Sequence, residues 1–182
     1  MKKIILFLYF FILLIFPSYS VESENPIFEL YIQKQLEIED GRGILRAIVK
    51  DDRKYIREQL INGLNPDMSV GKIPVIFFPI YLEKPDMLSI FLEFGANPNK
   101  TLMGESPLNF AIYRNSIPSA YKLIENGANI NSKNAGKTPL DHALREKNYE
   151  FSCFLINSGA NITKKNKRKM LKSGYTGFNA YF

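Results

Sequence analysis

The apolar residues of this chain recur at the three- and four-residue spacing of helices, in pairs of short segments that each end near a glycine. In the two clearest pairs, the second segments each carry one apolar face, formed by Ala120, Leu123 and Ile124 and by Phe151, Leu155 and Ile156. Neither pair can bury such a face alone. The pattern therefore predicts helix pairs that stack side by side and share one core.

A fixed spacing underlies these pairs. Glycines close them every 32 residues, at Gly63, Gly95, Gly127 and Gly159. The last two pairs also open alike, with Ser106-Pro107 and Thr138-Pro139. A hydroxyl side chain can cap a helix, and a proline at the first helical position has no N–H group to lose. Each closing glycine suits the left-handed backbone that ends a helix.

A period near 33 residues with a Thr-Pro-Leu opening, here Thr138-Pro139-Leu140, resembles the ankyrin repeat. The resemblance implies an all-α, ankyrin-repeat solenoid of about four helix-turn-helix repeats, at about 41–67, 68–99, 100–131 and 132–163. Residues 21–40 are predicted to form a linker and an N-terminal capping helix, because a terminal repeat needs a polar outer face.

The second repeat fits this pattern least well. Its first helix, Val75 to Tyr81, has the composition of a β-strand, but the intact spacing from Gly63 to Gly95 favours a helix. Pro79 inside this helix is expected to kink it, at about 3 kcal/mol in an ordinary helix. With the repeat opening at Gly71, as the next one opens at Gly104, one residue is inserted near Glu83-Lys84-Pro85.

The first 20 residues have the form of a signal peptide. Lys2 and Lys3 precede 13 apolar residues, and a small-x-small site ends at Ser20, so cleavage is predicted after Ser20. Thirteen residues are short for a bilayer span, which takes about 20; an uncleaved signal anchor is the alternative. An exported chain with the single cysteine Cys153 has no internal disulfide, which is more typical of a bacterial periplasmic protein than of a eukaryotic secreted one.

Basic residues are concentrated near the end of the chain. The formal net charge is +6, and residues 21–163 are nearly neutral, with 16 bases against 18 acids. Residues 164–172 hold six bases and no acid, namely Lys164, Lys165, Lys167, Arg168, Lys169 and Lys172. Residues 164–182 are interpreted as a basic, aromatic C-terminal tail, either docked as a cap or loose. Such a segment can attach to phosphate or anionic lipid, although a solvated tail is the simpler interpretation.

The sequence contains no recognisable catalytic or metal-binding constellation. The single histidine, His142, lies inside the repeat motif without a cysteine cluster, so a structural role is expected. Gly136-Lys137-Thr138 ends like a phosphate-binding loop, but Asn131 stands where that motif needs a glycine. The chain is predicted not to be an enzyme, and no cofactor, metal or nucleic-acid partner is expected.

In the ankyrin family, partners usually meet the hairpin tips between repeats and the exposed face of each first helix. Carried over by position, the resemblance implies binding residues at the tips: Val70, Lys72, Leu102, Met103, Glu105, Asn134 and Lys137. On the first helices it implies Ile80, Tyr81, Tyr113, Arg114, Arg145 and Glu146. Tyrosine and arginine dominate many protein interfaces. Tyr81, Tyr113, Arg114 and Arg145 are therefore expected to form a stripe across three repeats, called here the Tyr–Arg stripe.

These features predict an exported protein-binding module that neutralises a periplasmic partner. Small ankyrin-repeat proteins with signal peptides are similar to immunity proteins of toxic secreted effectors, in which a concave surface would cover the effector's active site. Two alternatives are left open. One is a protein attached to a membrane or polyanion through residues 164–172, and the other is an accessory protein in periplasmic stress protection. The free protein is expected to be a monomer.

Overall fold

Eight α-helices in four consecutive pairs and a ninth helix lie within residues 42–181, the part of the chain that the computed structural model describes. The predicted signal peptide and the predicted capping helix lie outside these residues. The helices are α1 (Arg42–Lys50), α2 (Arg53–Ile61), α3 (Phe77–Tyr81), α4 (Pro85–Glu93), α5 (Pro107–Tyr113), α6 (Ile117–Glu125), α7 (Pro139–Arg145), α8 (Tyr149–Asn157) and α9 (Lys164–Ser173). The strands β1 (Ser69–Val70) and β2 (Ile73–Pro74) precede α3, and a 3₁₀ helix, Thr176–Tyr181, follows α9. No helix in this described part has both the length and the apolar composition that crossing a bilayer requires.

The first helix of each pair packs against the first helix of the next, so that α1, α3, α5, α7 and α9 form one layer. The second helices α2, α4 and α6 lie side by side behind it. Between the layers, Leu45, Phe78, Phe91 and Phe151 are fully buried, and so is the small Ala111, which lets neighbouring helices approach closely. This arrangement confirms the predicted all-α solenoid, because each pair completes its core with its neighbours.

Side-chain caps begin the first helices of the third and fourth repeats. Oγ of Ser106 accepts a hydrogen bond from the backbone N–H of Asn109 at 3.2 Å. Oγ1 of Thr138 accepts one from Asp141 at 3.3 Å, and the Asp141 carboxylate accepts the N–H of Thr138 in return. These bonds satisfy N–H groups that have no partner within a helix.

The turn inside each helix pair has the same backbone in all four repeats. One residue with a left-handed backbone precedes each second helix, with φ values from 52° to 56°, at Asp51, Glu83, Asn115 and Lys147. These residues are spaced by 32. A left-handed backbone is unfavourable by roughly 1–2 kcal/mol for a residue with a Cβ atom. Each turn therefore carries a small conformational cost that glycine would remove.

The second repeat keeps the 32-residue spacing, which corrects the predicted insertion near Glu83-Lys84-Pro85. The residues that bridge the three hairpins are spaced by 32, in the pairs Val70–Ile73, Leu102–Glu105 and Asn134–Lys137. Gly71 is thus equivalent to Met103 and not to Gly104. The prediction slipped by one residue because two glycines that hold different places in the turn were aligned.

The first helix of the second repeat, α3, is short because it lacks a side-chain cap. Its N-cap residue, Ile76, makes no side-chain hydrogen bond, and Pro74 stands at the place of the capping residues Ser106 and Thr138. Pro79 falls at the third helical position, where backbone N–H groups have no partner within a helix. Pro79 therefore removes no backbone hydrogen bond from α3, and this part of the predicted destabilisation does not apply.

Asparagine and aspartate side chains link each repeat to the next beyond the ends of the second helices. Side-chain oxygens accept backbone N–H groups of the following repeat at 2.8 Å in the pairs Asp67–Asn97, Asn99–Asn129 and Asn131–Asn161. Within repeats, Asn97 and Asn129 accept the N–H groups of Asn99 and Asn131, at 2.9 and 3.0 Å. We call these six residues the Asx ladder. It explains why an Asn-x-Asn or Asn-x-Asp sequence follows three of the closing glycines.

Residues 164–181 form a docked cap, one of the two arrangements left open for the tail. Thr163 caps α9 only 25 residues after Thr138, so no hairpin precedes this helix. Met170 and Phe178 are buried, and the 3₁₀ helix packs on α8. There the ring of Phe178 lies 5.6 Å from that of Tyr149, edge to face. The cap covers the apolar end of the fourth repeat.

Candidate protein-binding surface

Three apolar residues predicted to bind a partner are buried, which corrects the prediction. Val70, Ile80 and Leu102 have 2%, 0% and 5% of their surface exposed and belong to the core. Val70 and Leu102 hold the same place in successive hairpins, where their side chains pack inward. Ile80 is equivalent by the 32-residue spacing to Ile112, which is also buried. The one-residue slip in the second repeat had moved the prediction onto the inner side of α3.

Glu105 is also buried, and its carboxylate joins the hairpin of the third repeat to that of the fourth. Oε2 accepts a hydrogen bond from Nδ2 of Asn109 at 3.0 Å, and Oε1 accepts one from Nδ2 of Asn134 at 2.5 Å. A buried carboxylate needs such partners. Glu105 therefore positions the two hairpins and is not part of an exposed surface. A polar cleft of about 230 Å³ lies beside this bridge, and its lining includes Asn99, Ser106, Asn109, Asn129, Lys133 and Asn134.

The predicted tip residues Lys72 and Met103 are exposed, and Asn134 and Lys137 are half-buried. In the hairpin of the third repeat, Met103 and Gly104 both have positive φ, at 53° and 84°. Two left-handed central residues are typical of the type I′ turn, which matches the twist of a tight hairpin. This turn holds the Met103 side chain in solvent at the tip of the hairpin, with 48% of its surface exposed.

Tyr81 and Arg114 come together between the second and third repeats. Cζ of Arg114 lies 4.6 Å from the centre of the Tyr81 ring, in a cation–π contact. Nη2 of Arg114 also lies 3.3 Å from Oε1 of Glu83. Tyr81 and Arg114 are half-buried and Glu83 is exposed. The ring and the carboxylate together hold the guanidinium in one orientation at the surface.

Tyr113 and Arg145 meet at His142, between the third and fourth repeats. The hydroxyl of Tyr113 lies 3.0 Å from Nδ1 of His142, and Nη2 of Arg145 lies 3.3 Å from the same nitrogen. A guanidinium can only donate, so Nδ1 accepts and the ring hydrogen lies on Nε2. Arg145 also donates from Nε to Oε1 of Glu146 at 2.8 Å. The half-buried Tyr113 is thus fixed against two exposed charged residues.

The ionisation states at this junction follow from burial and charge. Burial, together with the positive charges of Arg145 and Lys137, lowers the pKa of His142 to about 4, so the imidazole is neutral at pH 7. Burial and the nearby Glu105 carboxylate raise the pKa of Tyr113 to about 12, so the phenol keeps its proton. Both groups are therefore hydrogen-bonding groups here and do not exchange protons near neutral pH.

The Tyr–Arg stripe extends over three repeats through two groups of contacts. Arg114 on Tyr81 joins the second repeat to the third, and His142 joins Tyr113 to Arg145 between the third and the fourth. Sequence reasoning missed Glu83 and His142 as its supports. Glu83 precedes Arg114 by 31 residues, and His142 follows Tyr113 by 29. Separations this close to the 32-residue spacing bring side chains of adjacent repeats together. The repeat length itself was thus the signal that could have identified both residues.

The described residues offer little for chemistry beyond binding. Over positions 42–181, no group of three or more histidine, cysteine, aspartate or glutamate side chains is placed to hold a metal ion. Burial raises the pKa of the Cys153 thiol, which disfavours the reactive thiolate. His142 is oriented by Tyr113 and Arg145 and has only 4% of its surface exposed.

Comparison with known families agrees with this geometry. The family model described as ankyrin repeats (3 copies) matches residues 76–166, which is half of the chain. The chain belongs to the ankyrin-repeat family, whose members are protein–protein interaction modules and are generally not enzymes. No curated protein matches the chain.

Proposed function

We propose that this protein is an exported binding module that holds, and thereby neutralises, one protein partner in the periplasm. The main support is the Tyr–Arg stripe, in which four side chains of the kinds that dominate interfaces lie together across three repeats. Export is supported by the charge, apolar run and small residues of positions 1–20. An immunity protein for a toxic secreted effector combines these two properties.

Pre-organisation makes the stripe suitable for tight binding. Immobilising a long side chain on association is unfavourable by about 0.5–1.5 kcal/mol. Arg114 is already held by Tyr81 and Glu83, and Tyr113 is already hydrogen-bonded to His142. Much of this entropic loss is therefore incurred on folding and not on binding.

Neutralisation would proceed by occlusion of the partner's active site. The stripe combines two aromatic side chains with arginines that already have acidic neighbours, so it offers apolar area with few unpaired charges at its centre. Such a composition matches the core of an interface, where water is excluded. The partner is thus expected to present an apolar or aromatic rim around its active site.

The test uses the product of the gene beside this one, both as a purified protein and as a toxin in growth assays. The Tyr81→Ala/Tyr113→Ala/Arg114→Ala triple variant should bind it about 100-fold more weakly, because each substitution removes a large interface side chain. It should also lose protection. Arg57→Ala/Tyr121→Ala is the matched control, since both residues lie on second helices, away from the stripe. Circular dichroism melting confirms that each variant folds.

Unchanged binding and protection by the triple variant would show that the partner uses another surface. Loss of binding in the control variant as well would point to a general effect on stability. Export is tested separately by fractionation and by sequencing the mature N-terminus. A protein found in the cytoplasm with Met1 intact would contradict the periplasmic assignment.

A further inference from the structure

Two buried side chains fix which side of α9 faces solvent. Nδ2 of Asn166 donates to Oδ1 of Asp141 at 3.0 Å, while Oδ1 of Asn166 accepts the N–H of Thr163 at 2.8 Å. Met170 lies one turn further on and has 1% of its surface exposed. Residues four apart share a face of a helix. Asn166 and Met170 therefore hold one side of α9 against the solenoid and leave the opposite side open.

The open side of α9 is basic and has a leucine in it. Five of the six bases are exposed: Lys164, Lys165, Lys167, Arg168 and Lys172. Leu171 has 66% of its surface exposed, and Lys167 and Arg168 precede it by one helical turn. Tyr175, 39% exposed, follows the helix. The sequence has no acid from residue 151 to residue 182, so nothing in this segment offsets the bases.

We propose that α9 docks on the surface of an anionic phospholipid bilayer. The bases would lie at the level of the lipid phosphates, and Leu171 would enter the boundary between headgroups and acyl chains. Lysine and arginine beside exposed apolar residues are typical of helices that lie in this boundary. Charge alone suffices for binding a nucleic acid or another polyanion. The exposed Leu171 is what favours a lipid surface.

Docking through α9 leaves the Tyr–Arg stripe free. The stripe ends at Arg145, on the fourth repeat, whereas α9 belongs to the cap after that repeat. The proposal is therefore independent of the proposed partner and its neutralisation. A chain held on a membrane surface by its cap could present the stripe to a protein arriving at that membrane.

The test is co-sedimentation of the full chain with vesicles of phosphatidylglycerol and phosphatidylcholine, and with vesicles of phosphatidylcholine alone. Binding is expected to be stronger to the first kind and to weaken with salt. The Lys164→Gln/Arg168→Gln/Lys172→Gln variant should bind on the order of 100-fold more weakly at low salt, since each base near an anionic surface contributes roughly fivefold. The Leu171→Asn variant should bind roughly tenfold more weakly, because it removes the inserted apolar side chain.

The matched control removes three bases elsewhere, as Arg46→Gln/Lys50→Gln/Lys54→Gln, and should bind the vesicles like the unmodified chain. Any contribution of the apolar residues 4–16 is common to all variants and cancels in the comparison. Equal binding by the α9 charge variant would overturn the proposal, as would Leu171→Asn without effect. Binding to heparin without binding to the anionic vesicles would overturn it in favour of a soluble polyanion. The α9 variants should keep their affinity for a protein partner.

Discussion

The hydroxyl of Tyr113 donates a hydrogen bond to Nδ1 of His142 over 3.0 Å, and the two rings meet edge to face with centroids 5.7 Å apart. The donor lies at the end of α5 and the acceptor in α7, so the contact joins two repeats. Protonation of His142 would turn Nδ1 from an acceptor into a donor. The stability of this junction is therefore linked to pH.

The first prediction is that the protein loses folding stability at acidic pH because His142 becomes protonated. The pKa of His142 is lowered from 6.5 to about 4 by folding, so the unfolded chain takes up a proton first as pH falls. The contribution of neutral His142 to the free energy of unfolding is therefore fully present above about pH 6.5, and it is lost as the pH falls towards 4. Urea unfolding should show a loss on the order of 2 kcal/mol across this range.

His142→Gln is the control for that prediction, because an amide can hydrogen-bond to Tyr113 but does not titrate. The chain has one histidine, so few other side chains titrate between about pH 7 and 5. The variant should have a flatter pH dependence in that interval. Identical slopes for the two proteins would show that His142 is not the group responsible.

The Asx ladder predicts a difference between two substitutions of one residue. Oδ1 of Asn99 accepts the N–H of Asn129 at 2.8 Å, and Nδ2 of Asn99 donates to the carbonyl of Gly127 at 3.0 Å. Asn99→Ala removes both bonds and should lower the free energy of unfolding by about 1–2 kcal/mol. Asn99→Asp keeps the acceptor, as Asp67 does naturally in the preceding repeat, and should lose less than half as much. Denaturant titrations would measure both values, and equal losses would contradict this role for the acceptor.

Replacing Lys147 with glycine should stabilise the protein. The backbone of Lys147 is left-handed, with φ of 56°, and the side chain is exposed. Lys147→Gly should raise the free energy of unfolding by about 1 kcal/mol, whereas the β-branched Lys147→Val should lower it. Lys50→Gly is the comparison, because Lys50 ends the helix α1 and glycine there should be destabilising. Melting temperatures that fall for both glycine variants would contradict the conformational argument.

Phe178 should be essential to the cap. It is 1% exposed and packs edge to face against the stacked rings of Tyr149 and Tyr175, at 5.6 and 5.2 Å. Phe178→Ala should destabilise the protein by about 3 kcal/mol, as large-to-small substitutions in cores do. The neighbouring Asn179 is exposed, and Asn179→Ala should change little. A melting temperature that Phe178→Ala leaves unchanged would mean that the cap does not protect the fourth repeat.

The third and fourth repeats could be predicted because their signals are local and occur in a fixed order. Ser106-Pro107 and Thr138-Pro139 each place a cap before a first helix, and the structure has both caps. The second repeat was misaligned because Gly71 and Gly104 look equivalent in sequence but occupy different turn positions. The 3₁₀ helix of the cap was hard to foresee, since α9 starts out of phase with the repeats and buries only Asn166 and Met170 among its residues.

The candidate surface could be predicted only in part. The positions of Tyr81, Tyr113, Arg114 and Arg145 followed from the repeat. Which hairpin side chains point outward depends on the position of the turn. An alignment that is wrong by one residue exchanges the inward-pointing and outward-pointing positions. For this reason Val70 was expected at the surface and is in the core, whereas Leu102, in the correctly aligned third repeat, was expected at the tip and is a buried bridging residue. The bridging role of Glu105 depends on Asn134, 29 residues away, and no local pattern predicts that pair.

The Asx ladder also gives the internal units matching ends. A second copy of residues 100–131 inserted after Asn131 would offer its own Asn129 N–H group to the existing Asn131 and its own Asn131 oxygen to Asn161. Each end of the new unit would therefore meet a residue that can make the same ladder bond, although Glu105 of the first copy would face Leu102 of the second copy in place of Asn134. Duplication of one internal unit would thus lengthen the surface that carries the Tyr–Arg stripe and allow it to bind a larger partner. The first repeat and the C-terminal cap would be unchanged.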